Sequence, residues 1–272
     1  MKVAAIQMVS SSSVAANCAA ARRLLEQAAA QGAELAVLPE YFCLMGFQDT
    51  DKLKVAEQPG QGMLQDFLAS CALEFGLWIA GGTLPLETGL PGEEGTRVYN
   101  STLVYDPGGR RVARYDKMHL FRFDDGQRTF DETRVLRPGL EPVTFDLPSA
   151  DGSTYRVGLS ICYDLRFPEL YRALRADLLL VPSAFTFVTG QAHWEVLLRA
   201  RAIENLAYVL AAAQGGLHDN GRRTWGHSMV VDPWGCVMAE QAEGEGVVMA
   251  ELAKSNLDAE RLRLPALNHG VL

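Results

Sequence analysis

The segment Gly158-Leu-Ser-Ile-Cys162-Tyr-Asp-Leu-Arg-Phe-Pro168 decides how the rest of the chain is read. Its apolar start, Val157 to Ile161, predicts a buried strand. Cys162 ends the run, the polar residues Tyr163, Asp164 and Arg166 follow, and Pro168 suits the first turn of a helix reaching about Arg175. A side chain at the carboxyl end of a sheet strand stands where α/β proteins build their sites. The N–H groups of the turn and the positive end of the helix are expected to favour a thiolate there. A lone cysteine in an apolar strand is more often a core residue. The three polar neighbours argue against that here, because a core turn has no use for them.

Outward from this segment, short apolar runs alternate with helical stretches. Val3 to Met8, Leu35 to Pro39, Trp78 to Leu84, Ser101 to Tyr105 and Val112 to Tyr115 predict strands, the last two joined by the turn Asp106-Pro107-Gly108-Gly109. Leu178 to Val181, Tyr208 to Ala213, Met229 to Val231, Val237 to Ala239 and Val247 to Leu252 predict more. Helices are expected over Val14 to Ala30, stopped by Gly32, over Met63 to Phe75, stopped by Gly76, and over Trp194 to Leu206. Residues 118 to 153, with Pro138, Pro142 and Pro148, read as a long irregular excursion, which in a compact domain is usually functional. The pattern gives an α/β layered fold with a mixed sheet and no unique topology. With 272 residues and no linker or repeat, one domain over 1–272 is expected.

The net charge of −8, from 25 basic and 33 acidic residues, argues against general binding to nucleic acid or an anionic membrane but leaves an anionic substrate open. The five cysteines, Cys18, Cys43, Cys71, Cys162 and Cys236, follow no disulfide or C-x-x-C pattern, so reduced thiols in a cytoplasmic protein are expected. The five histidines lack metal-ligand spacing. The apolar start is too short for a signal sequence, and no run approaches the roughly 18 apolar residues of a membrane span.

Two further residues share the placement of Cys162. Glu40 follows the apolar run Ala36-Val-Leu-Pro39, and Lys117 closes the strand Arg114-Tyr-Asp116. Alone, the first reads as a solvated strand end and the second as a surface cation paired with Asp116, a common and weak arrangement. Together, a carboxylate, a cation and a thiol at three strand ends are the parts that acyl transfer needs.

Leu38-Pro-Glu40-Tyr, Tyr115-Asp-Lys117-Met-His-Leu-Phe and Ser160-Ile-Cys162-Tyr-Asp-Leu-Arg-Phe-Pro-Glu-Leu resemble, in order, the three signature blocks of the nitrilase superfamily of carbon–nitrogen hydrolases. Pro182-Ser-Ala-Phe185, the stretch from Thr189 through Ala192-His-Trp-Glu-Val-Leu-Leu-Arg-Ala-Arg to Asn205, and Gly226-His-Ser-Met-Val-Val-Asp-Pro-Trp-Gly235 also fit, so the resemblance runs from Val3 to about His269. It implies a four-layer αββα sandwich whose subunits pair into homodimers or larger homo-oligomers. It assigns Cys162 as nucleophile, Glu40 as general base and Lys117 as stabiliser of the oxyanion. Glu132, in Asp131-Glu-Thr-Arg-Val-Leu-Arg-Pro-Gly139, matches a second family glutamate that would orient Lys117 and the substrate amide, with Asp124, Asp125 and Asp131 as competing acids. Arg166 would meet a substrate carboxylate, unless it pairs structurally with Asp164 or Glu169. Tyr163, Phe185 and Tyr41 are expected to shape the pocket, and Glu195, which can also pair with Arg199, to support it.

The chemistry of these residues agrees. A free thiol, with a pKa of about 8.5, is mostly neutral at pH 7. Glu40 can accept its proton during attack and return it to the departing amine. No metal or organic cofactor is required.

The block Cys162-Tyr-Asp-Leu-Arg166, where nitrilases usually show Cys-Trp-Glu, points to amides rather than nitriles. The helix block with Arg199 and Ala200 is most similar to deaminated-glutathione amidases. The ω-amidases, which act on 2-oxoglutaramate, and the N-carbamoyl amino acid amidohydrolases are the alternatives. The tail from Leu264 to Leu272 departs from the usual basic ending, which matters if it touches the pocket or an interface. A binding protein on the same scaffold, and a papain-like thiol hydrolase using His193 or His227, are the competing readings from other classes.

Overall fold

Strand Lys2–Gln7 is apolar on both faces, and its packing shows why. In the computed structural model, which describes residues 1–124, 126 and 129–271, Val3 and Ala5 pack into one core while Ala4 and Ile6 pack into another. The two cores are the spaces either side of one sheet, so a strand with period-two side chains must be apolar throughout.

This first sheet has seven strands. Its path is Gly246–Glu251, Lys2–Gln7, Leu35–Val37, Trp78–Ala80, Val98–Tyr105 and Leu84–Glu87, with Arg111–Asp116 also paired to Val98–Tyr105. The second sheet runs Val237–Gln241, Ser228–Val231, Tyr208–Ala211, Leu178–Leu180, Thr154–Leu159 and Thr144–Pro148. In each, three central strands are parallel: Val3 is opposite Leu35 and Leu35 opposite Trp78 in one, Val157 opposite Leu178 and Leu178 opposite Tyr208 in the other.

Helices Val14–Ala30 and Met63–Phe75 cover the first sheet through Leu24, Leu25, Ala28, Leu64 and Leu68. Helices Pro168–Leu174 and Phe187–Asn205 cover the second through Leu170, Leu174, Trp194 and Leu198. The sheets face each other through Val3, Leu35, Val37, Val157 and Leu180, which completes the four-layer αββα sandwich. Burying four apolar surfaces in register fixes which face of every strand points where.

Several elements differ from the sequence expectation. The single strand expected over Trp78 to Leu84 is two, because Gly81 and Gly82 turn the chain between them. Gly82 has φ 53, and a Cβ on it would meet the Pro39 carbonyl oxygen at 2.1 Å, so the break makes room for the segment that carries Glu40. The excursion over 118 to 153 holds a small hairpin, Arg122–Asp124 with Thr129–Asp131, a 3-10 turn Glu132–Arg134 and the edge strand Thr144–Pro148. Its polar strands carry too few apolar residues to show a period, and Pro148 is tolerated because it ends an edge. The helix expected from Trp194 starts at Phe187, capped by the Thr186 hydroxyl, and hidden in sequence by Val188, Thr189 and Gly190. Helix Lys254–Arg263 lies outside the sequence expectation, since with only Leu257 buried it shows no apolar period.

Candidate active site

Glu40, Lys117 and Cys162 come from three different strand ends. Glu40 follows Leu35–Val37, where the Leu38 N–H bonds to the Ala80 carbonyl and the Thr83 hydroxyl accepts from the Tyr41 N–H at 2.8 Å. Tyr41 takes a left-handed φ of 58 and turns the chain away immediately after the carboxylate. Lys117 ends Arg111–Asp116, its N–H bonded to the Asn100 carbonyl and its own carbonyl to the Gly139 N–H. Cys162 ends Thr154–Leu159 and opens the 3-10 turn Cys162–Arg166 with φ 50. A non-glycine residue held there costs about 1–3 kcal/mol, which the surrounding bonds must sustain.

Those bonds are specific. The Cys162 N–H donates to the Pro182 carbonyl at 3.0 Å. The fully buried Asp164 carboxylate accepts from the Ile161 N–H at 2.9 Å, the Tyr115 hydroxyl at 2.7 Å and the His119 N–H at 3.0 Å, with the His119 ring nitrogen 2.7 Å away. Asp164 thus ties the Cys162 turn to the Lys117 strand.

The charged groups meet in one buried cluster. Lys117 Nζ donates to Glu40 Oε1 at 2.9 Å and to Glu132 Oε1 at 2.9 Å. Asn100 Nδ2 donates to Glu40 Oε1 at 2.8 Å, and the Ala184 N–H to Glu40 Oε2 at 3.0 Å. Glu132 also accepts from the Tyr41 hydroxyl at 2.8 Å and the Phe121 N–H at 2.7 Å. Burial works against the Lys117 charge, but Glu132 and Glu40 outweigh it and hold the ammonium well above 10.5. Burial likewise opposes the Glu132 charge, and Lys117, Lys52 and the Phe121 N–H win, lowering its pKa from 4.5.

The thiol behaves otherwise than the expectation of a favoured thiolate. Burial and the neighbouring Glu40 carboxylate push the Cys162 pKa well above 9.0, only partly opposed by Lys117 and the Ala184 N–H. The helix after the turn is two turns long and begins six residues on, too far to reverse the effect. The sulfur rests protonated beside a carboxylate, an arrangement that calls for a base at the moment of attack.

All eight residues singled out from the sequence, Glu40, Tyr41, Lys117, Glu132, Cys162, Tyr163, Arg166 and Phe185, line one cavity of about 570 Å³ that opens to solvent. Arg166 pairs with neither Asp164 nor Glu169; its guanidinium faces the Tyr163 and Phe185 rings and reaches His193 Nδ1 at 3.2 Å. Of the competing acids, Asp131 lines the cavity but accepts from Thr133, Asp124 bonds Thr129, and Asp125 lies outside the described residues. Glu195 is exposed and pairs with Arg199 at 3.1 Å, away from the cavity. His193 and His227 line a different surface hollow, and His227 is bound to Glu240, so neither faces Cys162. The described residues of the atypical C-terminal tail do not reach the cavity.

Sequence reasoning missed Asn100, the Ala184 N–H, Lys52 and Arg222. Asn100 was findable as a polar residue within an apolar strand; the others depend on tertiary placement alone.

Comparison with known proteins bears on this arrangement. The sequence profile of the carbon-nitrogen hydrolase family matches residues 2–261. The deaminated glutathione amidase of a Synechocystis species is 41% identical over 98% of this chain and 97% of its own. Among solved structures, Saccharomyces cerevisiae Nit3, of branch 10 of the nitrilase superfamily, superposes with TM-score 0.85 at 31% identity, covering 97% of this chain and 94% of that one. A glutamate-to-glutamine mutant of the amidase from Nesterenkonia sp. AN1 superposes with TM-score 0.75 at 25% identity, covering 97% of this chain and 98% of that one; in that mutant acrylamide has added to the active-site cysteine.

Proposed function

The chain belongs to the carbon–nitrogen hydrolase family of the nitrilase superfamily, and from that premise we propose that it is an amidase whose reaction Cys162, Glu40, Lys117 and Glu132 carry out on deaminated glutathione. It is a hydrolase of carbon–nitrogen bonds other than peptide bonds.

In this reading the Glu40 carboxylate takes the Sγ–H proton as sulfur bonds to the amide carbon. The carbonyl electron pair moves to oxygen, where the Lys117 ammonium and the Tyr163 N–H, at the open start of the 3-10 turn, face the developing charge. Glu40 then gives its proton to the amide nitrogen, the C–N bond breaks, and the amine leaves a thioester. Water attacks the thioester with Glu40 again as base, and the thiol is regenerated with a carboxylic acid. Glu132 holds Lys117 in place and offers its carboxylate to the substrate N–H.

The observation that carries the proposal is Lys117 Nζ lying 2.9 Å from both glutamates in the cavity that also exposes Cys162. Amine release from deaminated glutathione, 2-oxoglutaramate, N-carbamoyl amino acids and simple aliphatic amides, measured side by side, tests it. Deaminated glutathione should give the highest kcat/KM and Cys162→Ala should release none; equal release by Cys162→Ala would overturn the thiol mechanism.

The five free cysteines support a reducing, cytoplasmic setting, and no described helix is long and apolar enough to cross a membrane. One domain over 1–272 is supported by two cores that share a sheet. A homodimer is supported by Val188, Val196 and Ile203, exposed along helix Phe187–Asn205, with exposed Trp234 next to Gly235, which packs on Ile203.

A further inference from the structure

The Tyr41 side of the cavity carries charge that hydrolysis leaves unused. Lys52, from the 3-10 turn Asp49–Val55, and Arg222, from the loop before strand Arg223–Trp225, line both the main cavity and an adjoining hollow of about 270 Å³. Lys52 Nζ stands 4.7 Å over the Tyr41 ring, and the Arg222 guanidinium 5.5 Å from the Phe130 ring. Among the described residues neither cation has a carboxylate oxygen within 4.0 Å. Among the described residues Asp49 lines the same walls as their one uncommitted acid, since Asp131 is engaged by Thr133 and Glu132 by Lys117.

Hydrogen bonds hold the Arg222 side of the hollow in place. The loop that presents Arg222 is pinned by His218 Nδ1 against the Ser10 carbonyl at 2.7 Å, by Asn220 Nδ2 donating to the Gly46 carbonyl at 2.7 Å, and by Ser12 donating to Asp219. Burial, with Arg222 and Lys117 nearby, holds Lys52 below its usual 10.5 against the opposing pull of Glu132 and Asp49. An anion seated between Lys52 and Arg222 would relieve that repulsion, and a preorganised pair of cations gains most from doing so.

We infer that Lys52 and Arg222 form an anion subsite for a second carboxylate, separate from Arg166, so that the cavity selects amides with a carboxylate on each side of the scissile bond. The inference rests on the amidase reading above. Arg166 stands on the nucleophile's own turn and faces Tyr163 and Phe185, which suits a carboxylate on the acyl side, close to the reacting carbon. The hollow beyond Tyr41 receives the leaving group. Deaminated glutathione has this charge pattern, with a 2-oxo acid at one end and a glycine carboxylate at the other.

The test compares deaminated glutathione with its glycine-end monomethyl ester, which lacks the second charge. In Lys52→Met and Arg222→Gln the ratio of kcat/KM for the acid to that for the ester should fall by about tenfold to a hundredfold, through KM. Arg222→Lys should restore part of the preference. An unchanged ratio in both variants overturns the inference. Titration of Cys162→Ala with the same two compounds separates this from the reaction itself. If wild type cleaves neither compound, the amidase reading fails, whereas the subsite stands or falls on whether the acid binds more tightly than the ester and loses that advantage in Cys162→Ala/Lys52→Met.

Discussion

At the scale of single residues, the site is an ion cluster that must be kept charged without water. Lys117 is 1% exposed and neutralises two carboxylates at once. Removing it leaves Glu40 and Glu132 adjacent and unpaired, which in buried sites costs about 3–5 kcal/mol. Lys117→Met is therefore expected to lose at least about a hundredfold in kcat through the missing oxyanion donor, and to melt earlier as well. The melt should also change its pH dependence. Because Glu132 has a folded pKa below 4.5, its ion pair stabilises wild type above about pH 4.5, and that stability is lost as pH falls through the depressed folded value. In Lys117→Met the two carboxylates repel, so acidification should cost less or stabilise. Thermal melts of both proteins from about pH 6 to pH 3 check this, and parallel acid losses would show that Lys117 does not hold Glu132 ionised.

Asp164 belongs to the same scale. It does not line the active-site cavity, yet three donors and the His119 ring nitrogen converge on it, all but the Ile161 N–H from the Lys117 strand side. Asp164→Asn presents an N–H₂ to donors and should cost about 1–3 kcal/mol of stability. Because it positions the turn of Cys162, kcat should drop more than KM rises. A melt shifted with kcat unchanged would leave Asp164 with a purely structural part.

At the scale of elements, strand ends do the positioning, and close backbone approaches fix them. A Cβ on Gly139 would meet the Asp116 carbonyl oxygen at 2.1 Å, next to Lys117. Gly139→Ala is expected to displace that strand end and lower kcat/KM by about tenfold or more, with a lesser effect on melting, since a 1 Å misplacement of a reacting group can cost about a hundredfold. Full activity in Gly139→Ala would show that the strand end tolerates movement.

The same scale explains what could be read beforehand. Glu40, Lys117 and Cys162 were legible because each interrupts an apolar run, and an interruption at a sheet edge is chemically meaningful. Helices Val14–Ala30 and Met63–Phe75 were legible to the residue, having Ala- and Leu-rich interiors and glycine stops. Lys52 and Arg222 were not, because they lie on a 3-10 turn and on a hairpin loop that tertiary bonds from His218 and Asn220 to Ser10 and Gly46 position. Nor was the neutral state of Cys162, which depends on burial and on Glu40, 122 residues away in the chain.

At the scale of the whole molecule, the sandwich brings strand ends from both sheets to one place. Glu40 and Lys117 follow strands of the first sheet and Cys162 a strand of the second, so the proposed reaction centre spans the sheet–sheet interface. Its geometry therefore depends on the shared core of Val3, Val37, Val157 and Leu180. Leu180→Ala, at the centre of that core, should cost about 2–5 kcal/mol. It should also lower kcat at temperatures where the protein remains folded, as the sheets shift; kcat unchanged beside a lowered melt would uncouple the site from the interface.

The claim on which the account turns is that sulfur, carboxylate and ammonium face one substrate carbonyl. The crystal structure of Cys162→Ala with deaminated glutathione bound tests it directly. The amide carbon should lie about 3–3.5 Å from where Sγ stood, with its oxygen toward Lys117 Nζ and the Tyr163 N–H and its nitrogen toward the glutamates. An amide seated outside this cavity, or with its oxygen turned from Lys117, would contradict the account.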